Sequence, residues 1–459
     1  MTAWRPAAAA RLDRLAWLAF WLLIVVMPFR VRVDPLPHPA ISLPAPLADV
    51  IVYWLDGLVL MTVIAWLVAR VLDRRRINLG PRPLLIPVAA LVVLGWLTLP
   101  FGVLPDLSLF GAVRLTVLVV LALYVLNEVE SLASLVVPLG LMLGLQAIVA
   151  IGQFLVQGSI GLTGLGETQL DSTTPGLAVV LREDGVRILR AYGLSTHPNV
   201  LGGFFAVGIL LLLGTRPLSQ VGRGLQALVV ALAVGGLLVT FSRGAWIGLG
   251  AGLVAGIVVL GARTILAERG HWLVIGGLAL VVVAAGGWQL RDELALRSGL
   301  ATAQTATERR SVDERLAQIE LGWHVALERP LTGVGMSAVP VEMERLDPAF
   351  AFSYYPPHLV PLVVTAELGV GGGVAILALL GAPWFLLLRT RARWSREVAA
   401  ALGALAALTV AGLFDDYPWV GGPGRTLFWF VLGLWACVWV RSAGPISSPG
   451  AETGSPAAT

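Results

Sequence analysis

Lysine is absent from this chain of 459 residues, in which all 32 basic residues are arginine. Cysteine occurs once, as Cys437, and there are five histidines. Without lysine no side chain can form a Schiff base, and a single cysteine excludes disulfide bonds within the chain and thiolate metal clusters. The histidines lack the spacing of paired metal ligands. We therefore predict neither a metal nor another cofactor.

Charge of either sign is also scarce, because charged residues make up 13% of the chain, against about 25% in globular proteins. Hydrophobic residues reach 57%, and the mean hydropathy is +0.84. This composition excludes an ordinary soluble enzyme and a disordered protein. The net charge of +4 gives no indication of a nucleic-acid partner. The sequence predicts an all-α polytopic membrane protein.

Apolar runs near the length of about 20 residues that crosses a bilayer as a helix occur twelve times in the sequence. They lie at about 12–29, 50–69, 83–100, 108–126, 133–157, 198–214, 225–241, 244–262, 271–290, 359–388, 398–414 and 425–440. The run 359–388 is long for one span, and its Gly369–Gly373 stretch could divide it into a half-helix and a full helix. We therefore predict about twelve transmembrane helices.

The distribution of arginine predicts the orientation of these spans, since short cytoplasmic segments are rich in basic residues. If the N-terminus is cytoplasmic, the arginine-rich segments fall on the same side: 70–82, 216–223, 263–269, 389–396 and Arg441. Both ends of the chain are then cytoplasmic. The first apolar run is followed by Arg30-Val-Arg32 rather than by a cleavage site, so we interpret it as a retained helix.

This topology divides the chain into four regions. Residues 1–290 hold spans 1–9 with an outer loop at 158–197, residues 291–358 form a large outer loop, residues 359–441 hold spans 10–12, and 442–459 is a tail predicted to be disordered. In the large loop, apolar residues at helical spacing predict an amphipathic helix: Leu316, Ile319, Trp323 and Leu327. It would lie on the outer membrane face or pack over the bundle.

Polar residues inside or at the edge of a span are costly and are therefore candidates for function. Asp56 and Arg114 lie within two spans and could pair across the bundle. Five others lie near the outer interface: Arg190, His197, Arg243, His358 and Asp416. Arginine matches phosphate oxygens with a fork of donors, and histidine exchanges a proton near neutral pH. The set suits a lipid-linked phosphate or diphosphate, with a histidine acting as base toward an acceptor hydroxyl.

Simpler interpretations of the same residues stay open. An interfacial arginine often only anchors a helix in the headgroup region, although Arg243 also starts a span, where a helix N-terminus favours anions. His197-Pro-Asn199 could be the cap of the sixth span. Glu367 could simply bond to a neighbouring span.

Several motifs together resemble the O-antigen ligase and polymerase superfamily of bacterial envelope proteins. They are Arg190-Ala-Tyr-Gly-Leu-Ser-Thr-His-Pro-Asn-Val-Leu-Gly202, Phe241-Ser-Arg-Gly-Ala-Trp-Ile-Gly248, Glu314-Arg-Leu with Pro330–Gly335, His358-Leu with Ala366-Glu-Leu-Gly369, and Gly412–Trp419. Each motif is short, but their order, spacing and common side agree with the family.

The resemblance implies a helical glycosyltransferase of the GT-C-like kind, metal-independent and inverting, in the bacterial inner membrane. Such a protein moves a glycan from undecaprenyl diphosphate to an acceptor glycan, lipid or protein hydroxyl on the outer face, in contact with membrane lipids. By this resemblance Arg190 and Arg243 hold the diphosphate, and His358 deprotonates or orients the acceptor. The remaining residues predicted to bind substrate are His197, Asn199, Arg315, Tyr355 and Asp416.

Two other classes of function remain open. A carrier of small anions such as bicarbonate would also place arginine at an interface, but it would need polar groups or broken helices at mid-membrane. A flippase for lipid-linked oligosaccharides would need a basic central cavity. The sequence does not separate a ligase from a polymerase, because both use the same donor.

Overall fold

The computed structural model describes residues 4–38, 41–182, 184–217, 219–267, 269–298, 306–390 and 394–442. Its α-helices are α1 (Trp4–Val26), α2 (Ala45–Ala48), α3 (Trp54–Asp73), α4 (Arg82–Leu97), α5 (Pro105–Glu128), α6 (Val136–Val156), α7 (Pro198–Leu213), α8 (Gln220–Val239), α9 (Arg243–Ala267), α10 (Arg269–Gln289), α11 (Arg291–Ser298), α12 (Ala306–Glu328), α13 (Val339–Leu346), α14 (Val360–Arg389), α15 (Arg396–Ala411) and α16 (Gly422–Arg441). Helices α1, α3–α10 and α14–α16 overlap the twelve predicted apolar runs. The predicted tail, 442–459, lies outside the described residues except for Ser442.

Among the described residues, eight helices are long and apolar enough to cross a membrane, and α4 and α7 are shorter apolar helices. The structure is therefore a mostly helical polytopic membrane protein, and the number of twelve spans stays a prediction. The chain runs back and forth through the bundle, and one end of it, here called the loop end, carries six connections: 27–53, 98–104, 157–197, 240–242, 290–359 and 412–421. Helix α1 begins and α16 ends at the opposite end, here called the far end.

Two small antiparallel sheets at the loop end add strands that the sequence did not predict. Strand β1 (Arg32–Leu36) pairs with β2 (Val50–Tyr53), and β3 (Val179–Leu181) pairs with β4 (Arg187–Leu189). Residues 50–53 were predicted to begin the second span. Their β-branched side chains favour a strand, and the helix starts only at Trp54, where the Asp56 carboxylate accepts a hydrogen bond from the Tyr53 amide at 2.8 Å.

Glycine allows α9 and α15 to cross closely in the bundle. A Cβ atom at Gly252 would lie 2.6 Å from the carbonyl oxygen of Gly403, and one at Gly248 would lie 2.9 Å from the carbonyl oxygen of Ala407. Membrane helices use small residues for such close contacts, because packing rather than the hydrophobic effect holds them together. The crossing fixes the start of α9 beside the end of α15, which leads into the connection 412–421.

Helix α14 is broken at Gly369, as the glycine-rich stretch predicts. Gly369 has φ 72°, in the left-handed region that favours glycine, and a Cβ atom there would lie 2.5 Å from the carbonyl oxygen of Leu331. The break receives the segment 330–337, whose Val334 amide donates to the carbonyl of Ala366 at 2.9 Å. These contacts fix the connection 290–359, called below the large loop-end segment, on residues 360–368, the half of α14 that follows His358.

Buried charges within the bundle are paired or hydrogen-bonded. Arg114 donates to both carboxylate oxygens of Asp56, at 2.7 and 2.8 Å, which confirms the predicted pair. Glu367 accepts from the Ser337 amide and from the indole of Trp419, each at 2.7 Å. The sequence left open that Glu367 simply bonds to a neighbouring span. In the structure its carboxylate joins the broken helix α14 to two loop-end connections, 290–359 and 412–421.

The amphipathic helix predicted around 312–327 is present as α12, but its packed face differs from the predicted one. Leu321 and Val325 are buried against α13 and α14. Leu316, Trp323 and Leu327 are each at least half exposed. The apolar spacing thus identified the helix correctly, whereas small and polar residues such as Gly322 and Gln318 lie on the side that contacts the protein. In the described structure this apolar side is exposed.

Candidate active site

Arg190 is held at the loop end by three parts of the chain. Its backbone amide follows β4 and donates to the carbonyl of Ala178 at 3.1 Å. Its side chain is 4% exposed, and Nε donates to the carbonyl of Thr240 at 2.8 Å, while the other end of the guanidinium donates to Oδ1 of Asn199. The guanidinium therefore joins the segment 157–197 to the starts of α7 and α9.

His197 is the N-cap of α7, as the simpler interpretation predicted. Its Nδ1 accepts a hydrogen bond from the Asn199 amide at 3.1 Å. Burial and the neighbouring guanidinium of Arg190 lower the pKa of His197 to about 3. The imidazole is therefore neutral near pH 7, and because Nδ1 accepts, Nε2 carries the hydrogen and can donate it.

Asn199 lies at the second position of α7, and its side-chain amide continues the chain of polar contacts. Its oxygen accepts from Arg190, and its Nδ2 donates to Oδ2 of Asp415 at 2.6 Å. Asp415 belongs to the connection 412–421 and is 8% exposed. His197 thus caps the helix α7, whereas the Asn199 side chain connects Arg190 to Asp415.

His358 precedes α14 and faces two carboxylates. Its Nδ1 lies 3.8 Å from Oδ1 of Asp415 and 3.6 Å from Oδ1 of Asp416. Burial alone would lower the pKa of His358, but the carboxylates of Asp416 and Asp415 outweigh it and raise that pKa above its ordinary value. The two histidines of the site therefore differ, since His197 stays neutral and His358 readily holds a proton.

Arg315 and Tyr355, both in the large loop-end segment, lie near Asp415 and Asp416. Arg315, on α12, donates to the carbonyl of Phe414 at 3.1 Å, next to Asp415. Tyr355 precedes His358 by three residues and is 45% exposed. Burial, followed by the charge of Asp416, raises the pKa of the Tyr355 phenol, so this hydroxyl keeps its proton and can donate a hydrogen bond.

Arg243 is the first residue of α9, as its sequence position predicts. The turn before it contains Thr240, whose carbonyl accepts from Arg190, and Phe241, whose φ of 49° is in the left-handed region. A Cβ atom at Gly202 would lie 2.8 Å from Cβ of Ala245, so the start of α9 packs tightly on α7. Two predicted arginines are therefore tied to one turn, which also offers the N-terminus of a helix.

The polar cluster is the name used below for six loop-end residues: Arg190, His197, Asn199, His358, Asp415 and Asp416. Five of the six were predicted site residues, all except Asp415, and the structure brings them together. The other three predicted residues, Arg243, Arg315 and Tyr355, lie on neighbouring segments. The sequence analysis selected Asp416 and not Asp415, although Asp415 makes the bond to Asn199. It did not select Arg30 and Arg32 either. The Arg30 amide contacts the carbonyl of Leu194 between Arg190 and His197, and the predicted topology places both arginines on the outer side, where arginine has no role in orienting the spans.

One imidazole nitrogen of His358 and one carboxylate oxygen each of Asp415 and Asp416, the atoms that could bind a metal ion, lie within 4.8 Å of one another. One imidazole and two carboxylates could hold a divalent cation, a possibility that the sequence spacing did not indicate. The same arrangement also stabilises a protonated imidazole without a cation. Chelation distinguishes these two uses experimentally.

The fold and the site together define a polytopic helical membrane protein whose polar residues meet at one end of the bundle. Residues 228–377 match the family described as O-Antigen ligase, which confirms the resemblance to the O-antigen ligase and polymerase superfamily. The matched region contains Arg243, Arg315, Tyr355 and His358, whereas Arg190 and Asp416 lie on either side of it. No curated protein matches the chain. The family match indicates a glycosyltransferase-like membrane protein of polysaccharide biosynthesis.

Proposed function

We propose that this protein transfers or polymerises a glycan at the outer face of the bacterial inner membrane, with both termini in the cytoplasm. The donor is a glycan linked to undecaprenyl diphosphate, and the acceptor is a hydroxyl of a glycan, a lipid or a protein. The observation that carries this proposal is the continuous contact from Arg190 through Asn199 and Asp415 to His358. It connects a candidate phosphate ligand to a candidate base at the loop end of the bundle.

The reaction is a displacement at the anomeric carbon of the donor sugar. The acceptor oxygen forms the new glycosidic bond, the bond from the anomeric carbon to the diphosphate oxygen breaks, and undecaprenyl diphosphate leaves with the electron pair. Attack opposite to the leaving group inverts the anomeric configuration. The acceptor proton passes to His358, and from there to solvent.

Arg190 and Arg243 hold the diphosphate in this proposal. Guanidinium groups offer paired donors that fit phosphate oxygens and stay charged at every physiological pH. The charge that develops on the leaving diphosphate is stabilised by fixed positive groups and by the N-terminus of α9. Neutral His197 adds an N–H donor beside Arg190.

His358 receives or orients the acceptor hydroxyl, and its pair of carboxylates stabilises the imidazolium that proton transfer would form. Tyr355 and Arg315 lie on the segments beside His358 and contribute hydrogen bonds on the acceptor side. Asp416 acts through His358 and is therefore a positioning residue. No metal takes part in this proposed reaction.

The position of the polar groups favours transfer over transport. A carrier requires polar groups or broken helices at mid-membrane, whereas the polar cluster lies at one end of the bundle and the break in α14 receives the loop-end segment 330–337. Of the charges predicted to lie within spans, Arg114 is paired with Asp56 in the first turn of α3, which is also near the loop end.

The proposal is tested by reconstituting the purified protein in lipid vesicles with an undecaprenyl-diphosphate-linked oligosaccharide and a panel of glycan, lipid and protein acceptors. We expect an inverted glycosidic product on at least one acceptor, and unchanged transfer after dialysis against EDTA. Loss of transfer with EDTA that Mg²⁺ or Mn²⁺ restores would contradict the metal-free reaction. Movement of intact donor across the membrane with no product on any acceptor would contradict transfer itself.

A further inference from the structure

Two arginines that the proposed reaction does not use lie beside the polar cluster. Arg30 follows α1, Arg32 is the first residue of β1, and the two guanidinium groups are close enough for the charge of Arg32 to act on Arg30. The Arg30 amide donates to the carbonyl of Leu194 at 2.8 Å. Leu194 lies between Arg190 and His197, so backbone contact places this arginine pair next to the candidate site.

The local fold fixes the pair rather than leaving it on a mobile surface. The Trp54 amide donates to the carbonyl of Val31 at 3.1 Å, and Arg32 is the register partner of Tyr53. On the other side, Gly166 has φ +88°, and a Cβ atom there would lie 2.8 Å from Cγ2 of Val31. The segment between the two arginines is therefore held between a strand and a tight turn.

Among the described residues, neither arginine of the pair forms a salt bridge. The Arg30 guanidinium donates to the hydroxyl of Thr168, which is neutral. In the described parts of the chain, Arg32 has neither a hydrogen bond from its side chain nor a salt bridge. Burial and the charge of Arg32 lower the pKa of Arg30, as expected for two like charges held close together.

Two of the acidic groups near the pair, Glu167 and Asp416, have other partners. Glu167, next to Thr168, accepts from the amides of Ile160 and Leu162, at 2.7 and 2.5 Å, and from Gln153. Asp416 faces His358 at 3.6 Å. Phenols complete the surroundings, since Arg30 is in electrostatic range of Tyr53 and Tyr192, and Arg32 of Tyr355.

We propose that Arg30 and Arg32 form a second anion-binding site, which takes a phosphate group carried by one of the two substrates. The inference rests on the proposed function for the identity of those substrates. Two guanidinium groups on a fixed backbone, with phenol hydroxyls nearby, match the oxygens of a phosphate. The phosphate comes either from the donor diphosphate or from a phosphorylated acceptor, and both sources reach the loop end.

Equilibrium binding to the protein in lipid nanodiscs tests this site without requiring turnover. The probes are undecaprenyl diphosphate, undecaprenol, and one acceptor oligosaccharide in phosphorylated and dephosphorylated form. We expect Arg32→Gln to weaken binding of one phosphorylated probe about tenfold, since a hydrogen bond to a charged group contributes at least that much. Binding of the matched probe without phosphate should not change. Arg30→Gln should act on the same probe.

Arg291→Gln is the matched control, because Arg291 also lies at the loop end, is 63% exposed, and pairs with Asp292 at 3.5 Å. A loss confined to undecaprenyl diphosphate assigns the site to the donor, and a loss confined to the phosphorylated oligosaccharide assigns it to the acceptor. Equal affinities of wild type and Arg32→Gln for every probe, or an equal loss in Arg291→Gln, would overturn the inference. The proposed function fails separately, when wild type binds these probes but forms no product.

Discussion

Two pairs of arginines, one at each end of the bundle, have different partners. At the far end, Arg70 donates to Glu128, through Nε at 3.1 Å, and Arg75 pairs with Asp13. At the loop end, Arg30 donates to a hydroxyl, and within the described residues Arg32 has no carboxylate partner. Both ends thus contain a pair of arginines close in sequence, but only the far-end pair has its charge balanced by the protein.

This difference separates two functions of one residue type. Arginine at the far end agrees with the predicted cytoplasmic side, where basic residues orient the spans and partners on the protein fix them. Arg30 and Arg32 at the loop end have no such function in the predicted topology, and a positive charge without a carboxylate partner is available to an anion. Substitutions at the two ends should therefore have unequal consequences for transfer and for stability.

The largest effect is expected at Arg190 and Arg243. Replacing either by alanine removes a fixed positive charge from the developing diphosphate and should reduce kcat/KM for transfer by about 100-fold or more. Steady-state transfer in vesicles measures this. Arg190 is buried, so its variant also requires a check of insertion and thermal unfolding, with Arg190→Lys as the conservative control. Near-normal transfer by folded Arg243→Ala would remove this residue from the diphosphate site.

His358→Ala should have the next largest effect. If His358 is the base, the loss in kcat is about 100-fold, within the usual range of general base catalysis. A small loss in kcat with a raised KM for the acceptor would instead show that His358 orients the acceptor. His324, exposed on α12, provides the matched control, and His324→Ala should transfer normally.

Asp416→Asn should change the pH dependence more than the rate. The carboxylate of Asp416 raises the pKa of His358, and a base acts in its neutral form, so transfer by the wild type falls as the pH drops through that pKa. Removing the negative charge lowers the pKa of His358, and the acid limb of the profile should move to lower pH. A profile of kcat/KM against pH that does not move would show that Asp416 does not act through His358.

Arg75→Gln should have the smallest effect. The ion pair with Asp13 is about one-third exposed on each side, and such surface pairs contribute about 0–1 kcal/mol to stability. Transfer should stay within about twofold of wild type, and thermal unfolding should change little. A loss of transfer as large as that of Arg243→Ala would abolish the distinction between the two ends.

Much of the fold could be predicted from the sequence because its elements are local. Apolar runs located twelve helices, the glycines located the break at Gly369, and the spacing of charges identified the pair of Asp56 and Arg114. The packed face of α12 could not be predicted, since residues such as Gly322 are buried by neighbours that come from distant parts of the chain. The spacing of apolar residues shows which side of a helix is apolar, but it does not show which side the rest of the protein buries.

The candidate site was also predicted only in part. Charged residues at span edges identified Arg190, Arg243 and His358. The choice between Asp415 and Asp416 depends on one turn of backbone at the end of α15, which has no sequence signal. Arg30 and Arg32 were not selected because their position beside the polar cluster comes from strand pairing with residues 50–53 and from contact with Leu194. Both contacts join segments that are distant in the sequence.

The most direct measurement compares the affinity for undecaprenyl diphosphate of two variants in the same nanodiscs, Arg243→Gln at the loop end and Arg75→Gln at the far end. The account predicts that Arg243→Gln binds about tenfold more weakly than wild type, as expected for losing a hydrogen bond to a charged group, and that Arg75→Gln binds like wild type. Equal affinities of Arg243→Gln and wild type, or an equal loss in both variants, would contradict it.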